Sequence, residues 1–402
     1  METSDILQNE LKGSFDFFYN YTNLNSNNKG FGLTVDSSRS PNVASIASVG
    51  FALKAWVIAS ERGFISYQKA LEITRGTLST LCYQANHYRG FFAHFLWMEN
   101  GQRYKKSEFS TIDTSLCLNG VITAAAYFQD EEVQQMAQLL LDRVDWNFLV
   151  FEEDAKTRFR MAYNPDRDGD YVTDQPGLFG QWDKAAEQKM MYLQAAAQIE
   201  PALAMRLYEG FSRDAGYYDG HKIIVNPGGN LFAYQFSEAW LDTGRYLDPD
   251  GIDWFNNTRL AALANRSFCI QHSTDFKTYQ ANSWGASAGD SPWGYDVSGS
   301  TPSLHPPKPN GTVSIYSALA CLPFIPELTI DLIQHLYHHH PQTWGPYGFY
   351  DSYNLAVNPP WYSNTLIGID KGCSMIMIEN HLSRLIGIFI QTALLFKNRW
   401  PF

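Results

Sequence analysis

Two kinds of helical segment alternate along this sequence, and that alternation restricts its fold more than any other feature. Residues 43–62 and 110–128 are apolar on almost all sides and carry many small residues, which is typical of helices buried on most of their surface. The segments that follow them, 66–85 and 130–146, are amphipathic. About twelve helices follow this pattern, which predicts an all-α fold of apolar inner helices surrounded by amphipathic outer ones, an (α/α)6 barrel or toroid.

Long loops separate these helices and are dense in Gly, Pro, Tyr and Trp. Residues 89–109 predict a β-hairpin with its turn near Asn100–Gly101. We expect a few such short hairpins at one mouth of the barrel, where a cleft would open onto the inner helices. No linker or shift in composition divides the chain, so residues 1–402 are predicted to form a single domain. The longest loops are 150–181, 276–310 and 340–370.

The charge balance excludes several kinds of partner. The net charge is −11, and no run of Lys or Arg is present. Binding to nucleic acid requires a basic surface, and an acidic surface also disfavours polyanionic substrates. A neutral substrate fits this composition better.

The cysteines and the N-terminus indicate a compartment. Five widely spaced cysteines, an odd number, all lie in apolar helical contexts, so we predict buried free thiols and a reducing environment. The first residues, METSDILQNELKGSFDFF, lack the apolar core of a signal peptide, and no run of 18 apolar residues occurs. We therefore expect a soluble, cytoplasmic protein, with a signal peptide removed beforehand as the alternative. The sequence leaves the oligomeric state open.

The first candidate for chemistry is Glu187. It lies in Trp182–Gln198, which is predicted to be helical throughout because it consists of helix-forming residues without internal Gly or Pro. Met190 and Met191 follow one turn later, so this carboxyl is expected on an apolar face. Desolvation there would raise its pKa, the helix N-terminus would lower it, and a protonated carboxyl would suit a general acid. The alternative is a structural pair with a neighbour such as Lys184.

The second candidate is Asp370, which precedes the predicted last helix, residues 371–397. In a two-layer barrel the sixth and twelfth helices would lie opposite each other, so Glu187 and Asp370 would face one another over a cleft. An inverting glycosidase needs two carboxyls roughly 6.5–9.5 Å apart, and a retaining one needs roughly 5–5.5 Å. The alternative for Asp370 is a helix N-cap, a position that favours Asp.

Other acidic residues stand beside aromatic ones or at helix starts. Asp290 lies in a Gly-rich loop between Trp284 and Trp293, which resembles a sugar subsite with an acceptor beside stacking platforms. Asp351 has the same setting in YGFYDSYN. Asp113 opens an apolar helix, where complementing the helix dipole is the alternative.

Metal and cofactor motifs are poorly supported, and we predict neither. The segment 166–174, DRDGDYVTD, resembles a calcium loop, but its Gly comes too early for an EF-hand. The consecutive His338, His339 and His340 cannot all face one ion. Glu379 lies inside an apolar segment and is assigned a structural role, satisfied by His381 or Arg384.

Eight segments in order resemble one family of enzymes, the glucoamylase-like family that includes the bacterial β-1,2-glucanases. The resemblance extends over about residues 29–395. The segments are GFFAHFLWMENGQR, SEFSTIDTSLCLNG, WDKAAEQKMMYLQAAA, FAYQFSEAWLD, WGASAGDSPWGY, NGTVSIYSALACLPF, WGPYGFYDSYN and IDKGCSMIMIEN.

The resemblance implies an (α/α)6 barrel and an anomer-inverting glycoside hydrolase. It assigns the general acid to Glu187 and the general base to Asp370. It places Asp113 and Asp290 near the substrate; Trp182, Trp284, Trp293 and Asp351 are our further candidates for substrate binding. The expected substrate is a β-1,2-glucan or its oligosaccharides, with endo or exo action undecided.

Two other functions remain possible for such a barrel. A non-catalytic glycan-binding protein would keep the fold and lose the chemistry, although both Glu187 and Asp370 are present. A polysaccharide lyase would act on uronates and need basic residues to neutralise their carboxylates, which the net charge of −11 disfavours.

Overall fold

Helices dominate the structure. The computed structural model of the chain describes residues 2–167 and 176–383. Within them the α-helices are α1 (Thr3–Tyr21), α2 (Ile46–Glu61), α3 (Tyr67–Tyr83), α4 (Thr111–Phe128), α5 (Glu131–Asp142), α6 (Lys189–Ala196), α7 (Pro201–Tyr208), α8 (Leu231–Gln235), α9 (Trp254–Gln271), α10 (Ile315–Leu319), α11 (Pro326–His339) and α12 (Gly368–Ser383).

Short strands occupy the loops between the helices, and they pair antiparallel in sheets of two or three strands. The prediction of a mainly helical fold with small hairpins is confirmed. The strands are β1 (Val43–Ser45), β2 (His87–Tyr88), β3 (Phe91–Phe92), β4 (Phe95–Trp97), β5 (Phe109–Ser110), β6 (Val150–Glu153), β7 (Lys156–Phe159), β8 (Ala162–Tyr163), β9 (Leu178–Phe179), β10 (Ala215–Tyr218), β11 (His221–Ile224), β12 (Ala288–Ser291), β13 (Gly294–Val297), β14 (Val313–Ser314), β15 (Trp344–Gly345), β16 (Gly348–Phe349), β17 (Ser352–Asn354) and β18 (Trp361–Tyr362).

Side-chain caps fix where several helices begin. Ser66, Asp130 and Asp253 each accept a hydrogen bond from the backbone N–H three residues later, at the starts of α3, α5 and α9. Proline opens α7 and α11, where its missing N–H costs nothing. Local chemistry thus sets these boundaries.

The contacts within the chain divide it into two compact units. Of the described residues, unit 1 contains 2–17, 184–187 and 213–383, and unit 2 contains 18–167, 176–183 and 188–212. The prediction of one domain over residues 1–402 stays a prediction.

In unit 2 the buried helices α2 and α4 pack with their backbones in close approach. A Cβ added to Gly120 would lie 2.2 Å from the carbonyl oxygen of Gly50, and one added to Gly50 would lie 2.3 Å from that of Leu116. These distances are far below van der Waals contact, so only glycine allows this approach. The small residues of both apolar segments therefore serve helix packing.

Gly120→Ala is expected to lower the free energy of unfolding by about 1–3 kcal/mol, because the added methyl group forces α2 and α4 apart. Chemical denaturation would measure this loss. Gly244→Ala is a matched control, since a Cβ there would meet its nearest neighbour at 3.5 Å, an ordinary contact. Equal stability of Gly120→Ala and wild type would contradict this account of the packing.

In unit 1 the short helix α10 packs against α8, α11 and α12. The sheet β14–β17–β18 lies at the start of α10 and aligns Val313, Tyr353 and Tyr362 across its strands. This sheet continues into the loop before α12, so it brings the segments around residues 290, 351 and 370 into one region.

Of two predictions of local structure, one is corrected and one is confirmed. The helix predicted over Trp182–Gln198 begins only at Lys189, because residues 182–188 form turns and a bridge. The hairpin predicted over 89–109 is confirmed, because the bridges Leu96–Arg103 and Ala93–Phe109 pair its two arms around the turn at Gly101. Its first arm also pairs with β1 through β4.

Two further predictions concern the whole chain. All five cysteines are free thiols, buried except for the half-buried Cys82, as predicted. Residues 384–397 of the predicted last helix lie outside the described residues. Among the described helices, none combines the length and apolarity needed to span a membrane.

Candidate active site

Three buried carboxyls meet in unit 1, and all three are among the residues singled out from the sequence. Asp290, Asp351 and Asp370 are each at most 4% exposed. Carboxylates are rarely this buried unless they are hydrogen-bonded or functional. The cluster is therefore the strongest candidate for chemistry in this unit.

Each carboxyl comes from a different element. Asp290 lies on β12, Asp351 lies between β16 and β17, and Asp370 lies in the first turn of α12. Because α12 begins at Gly368, the alternative reading of Asp370 as the N-cap is wrong. A carboxylate in the first turn still gains from the helix dipole.

Hydrogen bonds hold the cluster together. The backbone N–H of Asp290 donates to Oδ2 of Asp351 over 2.6 Å, and the Ser363 hydroxyl donates to Oδ2 of Asp290 over 2.6 Å. The Ser352 hydroxyl donates to the carbonyl oxygen of Asp290 over 2.5 Å. The side chains of Asp290 and Asp351 thus have fixed positions.

The protonation of Asp351 is tied to that of Asp370. Burial raises the pKa of Asp351 to about 6, although hydrogen bonds with Asp370 and with the backbone of Asp290 oppose the rise. Two ionised carboxylates are acceptors only, so a hydrogen bond between Asp351 and Asp370 requires a proton on one of them. Burial therefore favours the protonated form of Asp351.

Tyr316 of α10 covers the same pair. Its hydroxyl donates to the carbonyl oxygen of Ala288 over 2.8 Å. Burial, followed by the charge of Asp370, raises the pKa of Tyr316 well above its usual value, so the phenol stays protonated. Sequence reasoning missed this residue, because it lies within an apolar helical segment.

Glu187 also belongs to unit 1, but its setting differs from the prediction. It is half-buried in the turn before α6 rather than one turn inside a helix, so the argument from a buried helical face is wrong for its own side chain. Met190 and Met191 are fully buried, as predicted. The Ser237 hydroxyl donates to the carbonyl oxygen of Glu187 over 2.5 Å, which fixes the backbone of this turn. Lys184, the suggested structural partner, lies 3.5 Å from Asp214.

Asp113 belongs to unit 2, where it forms a second cluster around a histidine. Nδ1 of His94 lies 2.8 Å from Oε1 of Glu108, and Nε2 lies 3.5 Å from Oδ1 of Asp113. The Ser110 hydroxyl donates to Oδ2 of Asp113 over 2.5 Å. Asp113 is thus more than a first-turn residue, because both of its oxygens are engaged.

His94 carries a positive charge at neutral pH. Burial alone would lower its pKa, but the charge of Asp113, the hydrogen bond and charge of Glu108, and the charge of Asp36 together raise it to about 9. Sequence reasoning missed His94, Glu108 and Asp36. His94 and Glu108 face each other across the hairpin predicted at 89–109, and Asp36 comes from an earlier loop. An imidazolium among carboxylates holds Asp113 in place by electrostatic attraction.

The raised pKa of His94 makes the stability of the protein pH-dependent. The pKa is about 9 in the folded chain against an ordinary 6.5, so the stabilisation is complete below about 6.5 and is lost as the pH rises through about 9. We expect urea denaturation to show a falling free energy of unfolding over that window, and His94→Gln to remove the fall. His305→Gln, an exposed histidine, is the control. If the free energy of unfolding of His94→Gln still fell over the same pH range, this assignment would be contradicted.

The tryptophans predicted to contact substrate differ in exposure. Trp293 is 66% exposed at the turn between β12 and β13, beside Asp290, and is free to stack on a ligand. Trp284 is fully buried, so its indole packs in the core and offers no stacking face. Trp182 is buried too, and its indole N–H donates to the Thr111 hydroxyl over 2.9 Å. The exposed Tyr295, next along the hairpin from Trp293, was not singled out from the sequence.

The metal candidates remain without support. No group of three or more His, Cys, Asp or Glu residues within 2–167 and 176–383 is arranged to hold a metal ion. The possible calcium loop at 164–174 lies largely outside the described residues. Glu379, assigned a structural role, is buried and accepts a hydrogen bond from the Ser383 hydroxyl over 2.5 Å. The alternative partner Arg384 lies outside the described residues.

A family model matches more than half of the chain. Residues 180–392 match the Glycoamylase family, described as "Putative glucoamylase". The matched segment includes Glu187 and all three residues of the carboxyl cluster. It excludes Asp113.

One curated relative matches most of this chain at low sequence identity. An exo β-1,2-glucooligosaccharide sophorohydrolase (non-reducing end) from Parabacteroides distasonis is 26% identical over 378 residues, which cover 87% of this chain and 51% of that protein. The chain thus spans about half the length of the curated relative that it matches.

Solved structures share the fold over nearly the whole chain. A β-1,2-glucanase from Parabacteroides distasonis has a TM-score of 0.84 at 22% identity, covering 99% of this chain and 60% of that one. An endo-β-1,2-glucanase from Chitinophaga pinensis, in complex with sophorotriose and glucose, has a TM-score of 0.82 at 23% identity and covers 98% of each chain. The fold of this chain is therefore that of these proteins.

Proposed function

Since the chain belongs to the Glycoamylase family, we propose that it is an anomer-inverting glycoside hydrolase acting on β-1,2-glucan or its oligosaccharides. The observation that carries the proposal is the buried cluster of Asp290, Asp351 and Asp370, in which the Asp290 backbone N–H donates a hydrogen bond to Asp351. The sophorohydrolase relative supports the choice of a β-1,2-linked substrate. The net charge of −11 is consistent with a neutral glycan.

The proposal extends to the fold. We propose that the helices form an (α/α)6 barrel and that the chain is one catalytic domain. The alternation of buried helices such as α2 and α4 with amphipathic ones such as α3 and α5 supports this arrangement.

In the proposed mechanism Glu187 is the general acid and Asp370 the general base. Glu187 protonates the departing glycosidic oxygen while Asp370 activates a water on the opposite face of the sugar. Either proton transfer can pass through a hydroxyl of the substrate, so direct contact with the water is not required. Burial favours the protonated form of Asp351, which limits the negative charge beside Asp370, and Asp370 acts as the base in its ionised form.

Substrate contacts follow from exposure and polarity. Asp290 and Asp113 offer acceptors for sugar hydroxyls, and Trp293 offers a stacking face. Trp284 and Trp182 act as support, because both are buried.

Digestion of a panel of linear glucans tests the proposed function. Purified protein is incubated with β-1,2-, β-1,3-, β-1,4- and β-1,6-glucan, and the products are separated by chromatography. We expect short sophorooligosaccharides from β-1,2-glucan alone, and their lengths distinguish endo from exo action. Binding without release would favour a glycan-binding protein, and unsaturated products would reveal a lyase.

Trp293→Ala is expected to raise the KM for β-1,2-glucan about fivefold with little change in kcat, because a stacking contact is worth about 1 kcal/mol. Steady-state kinetics measure both constants. Tyr217→Ala is the control, since Tyr217 is an equally exposed aromatic on another hairpin of unit 1. A KM that changes equally in the two variants would remove Trp293 from the binding site.

A further inference from the structure

A buried ion pair lies directly behind the carboxyl cluster. Nζ of Lys371 on α12 lies 2.5 Å from Oε1 of Glu10 on α1, and their side chains are 5% and 1% exposed. Lys371 follows Asp370 in the chain. Removing two charges from water is costly, and an apolar pair of similar volume is often at least as stable. Stability alone therefore does not explain this pair.

The ion pair holds both backbone groups of Phe349. The Phe349 N–H donates to Oε2 of Glu10 over 2.7 Å, and Nζ of Lys371 donates to the Phe349 carbonyl oxygen over 3.0 Å. Phe349 ends β16, two residues before Asp351. The pair thus ties the segment that carries Asp351 to the helix that carries Asp370.

The surrounding backbone leaves the pair no space to shift. Gly348 has a φ of +81°, and a Cβ added to it would lie 2.1 Å from Oε2 of Glu10 and 3.1 Å from Nζ of Lys371. A Cβ added to Gly13 on α1 would lie 2.6 Å from the carbonyl carbon of Tyr347. Glycine at both positions lets α1 approach the Asp351 segment closely enough for Glu10 to reach it.

Electrostatic attraction connects the ion pair to the cluster. Burial lowers the pKa of Lys371, while the charge of Glu10, its hydrogen bond and the charge of Asp351 oppose the change. A small cavity is lined by both pairs, Glu10 with Lys371 and Asp351 with Asp370. Several titratable groups surround the pair of Asp351 and Asp370. They are Asp290 on β12, Tyr316 on α10, Tyr350 directly before Asp351, Lys371 and Cys373 on α12, and Glu10 next to Lys371.

We propose that Lys371, held in place by Glu10, is a positioning residue that fixes the Asp351 segment against Asp370 and keeps negative charge on this carboxyl pair. This inference rests on the proposed function, in which Asp370 must be ionised to act as the base. Lys371 does not touch the reacting atoms in this role.

The test compares three variants. Lys371→Met removes the cation. Glu10→Gln with Lys371→Met removes both charges, which restores the balance of buried charge and with it the stability lost in the single variant. Lys12→Met breaks the exposed Lys12–Asp16 pair on the same helix α1 and is the matched control.

The pH dependence of kcat/KM on β-1,2-glucan is the first readout. Without the cation the pKa of the carboxyl pair rises, so the acidic limb moves upward by about one pH unit in Lys371→Met. The limb stays displaced in the double variant even though its thermal midpoint recovers. Lys12→Met keeps the wild-type profile. If the ion pair had only a structural role, the double variant would recover both the wild-type pH profile of kcat/KM and the wild-type thermal midpoint.

A second readout does not depend on turnover. NMR titration of protein labelled with 13C at the aspartate carboxyls, assigned with Asp351→Asn, follows the same carboxyl pair directly. We expect its titration midpoint to rise in both variants that lack Lys371. Titration curves that superimpose on wild type would overturn the proposal. Wild-type protein that releases nothing from the glucan would instead overturn the proposed function, while the titration still reports on Lys371.

Discussion

Glu187→Gln is expected to lower kcat on β-1,2-glucan by about 10²–10⁴-fold and to leave KM nearly unchanged. Glutamine keeps the size and polarity of the side chain in the turn before α6, but it cannot donate a proton to the departing oxygen. Steady-state kinetics on linear glucan, with product release followed by chromatography, measure the loss. Glu209→Gln is the control, because Glu209 is an exposed glutamate at the end of α7.

An activated substrate makes this test specific for the acid. An aryl sophoroside with a nitrophenolate leaving group needs no protonation, so Glu187→Gln should retain most of its activity on it. An equal loss on both substrates would mean that Glu187 has a different role. Activity that survives on the glucan would mean that the acid lies elsewhere in the site.

Asp370→Asn is expected to lower kcat by about 10²–10⁴-fold on the glucan and on the aryl sophoroside alike. The attacking water needs a base whatever the leaving group, so the activated substrate cannot compensate. Asparagine fills the same space in the first turn of α12 and can still hydrogen-bond to Asp351. The variant should therefore fold, which circular dichroism and the thermal midpoint would verify.

The pair of substrates separates the two roles. Asp331→Asn, an exposed aspartate on α11, is the control for Asp370→Asn. If Asp370→Asn kept its activity on the aryl sophoroside, as expected for Glu187→Gln, the assignment of the base would be wrong. Asp351 would then be the next carboxyl to test, because it shares a proton with Asp370.

Helices were predictable from this sequence where their hydrophobic period was long and clear. The bounds of α3 and α4 lie within about two residues of the predicted 66–85 and 110–128, because Ser66 and Ser110 cap their starts. The prediction of a helix before α6 was wrong, because its helix-forming residues lie in a turn. A long-range hydrogen bond from Ser237 fixes that turn. The hairpin at 89–109 was predictable from its Asn100–Gly101 turn. Its additional pairing with Val43–Ser45, about fifty residues earlier, was not.

The carboxyl cluster was partly predictable. Asp290, Asp351 and Asp370 were visible as acidic residues in aromatic or helix-start settings, but their meeting depends on packing between distant segments. His94 was missed because its pairing with Glu108 depends on the register of the 89–109 hairpin, and its other partner Asp36 lies in an earlier loop. The ion pair of Glu10 and Lys371 joins residues 361 positions apart, a pairing that composition and periodicity cannot reveal.

The central claim, an inverting hydrolase for β-1,2-glucan, is tested most directly by the anomer released first. Linear β-1,2-glucan is mixed with enzyme, and 1H NMR spectra are recorded before mutarotation equilibrates the products. The account predicts that new reducing ends appear as the α-anomer and convert only later to the β-anomer. Release of the β-anomer first, or no release from this glucan, would contradict it.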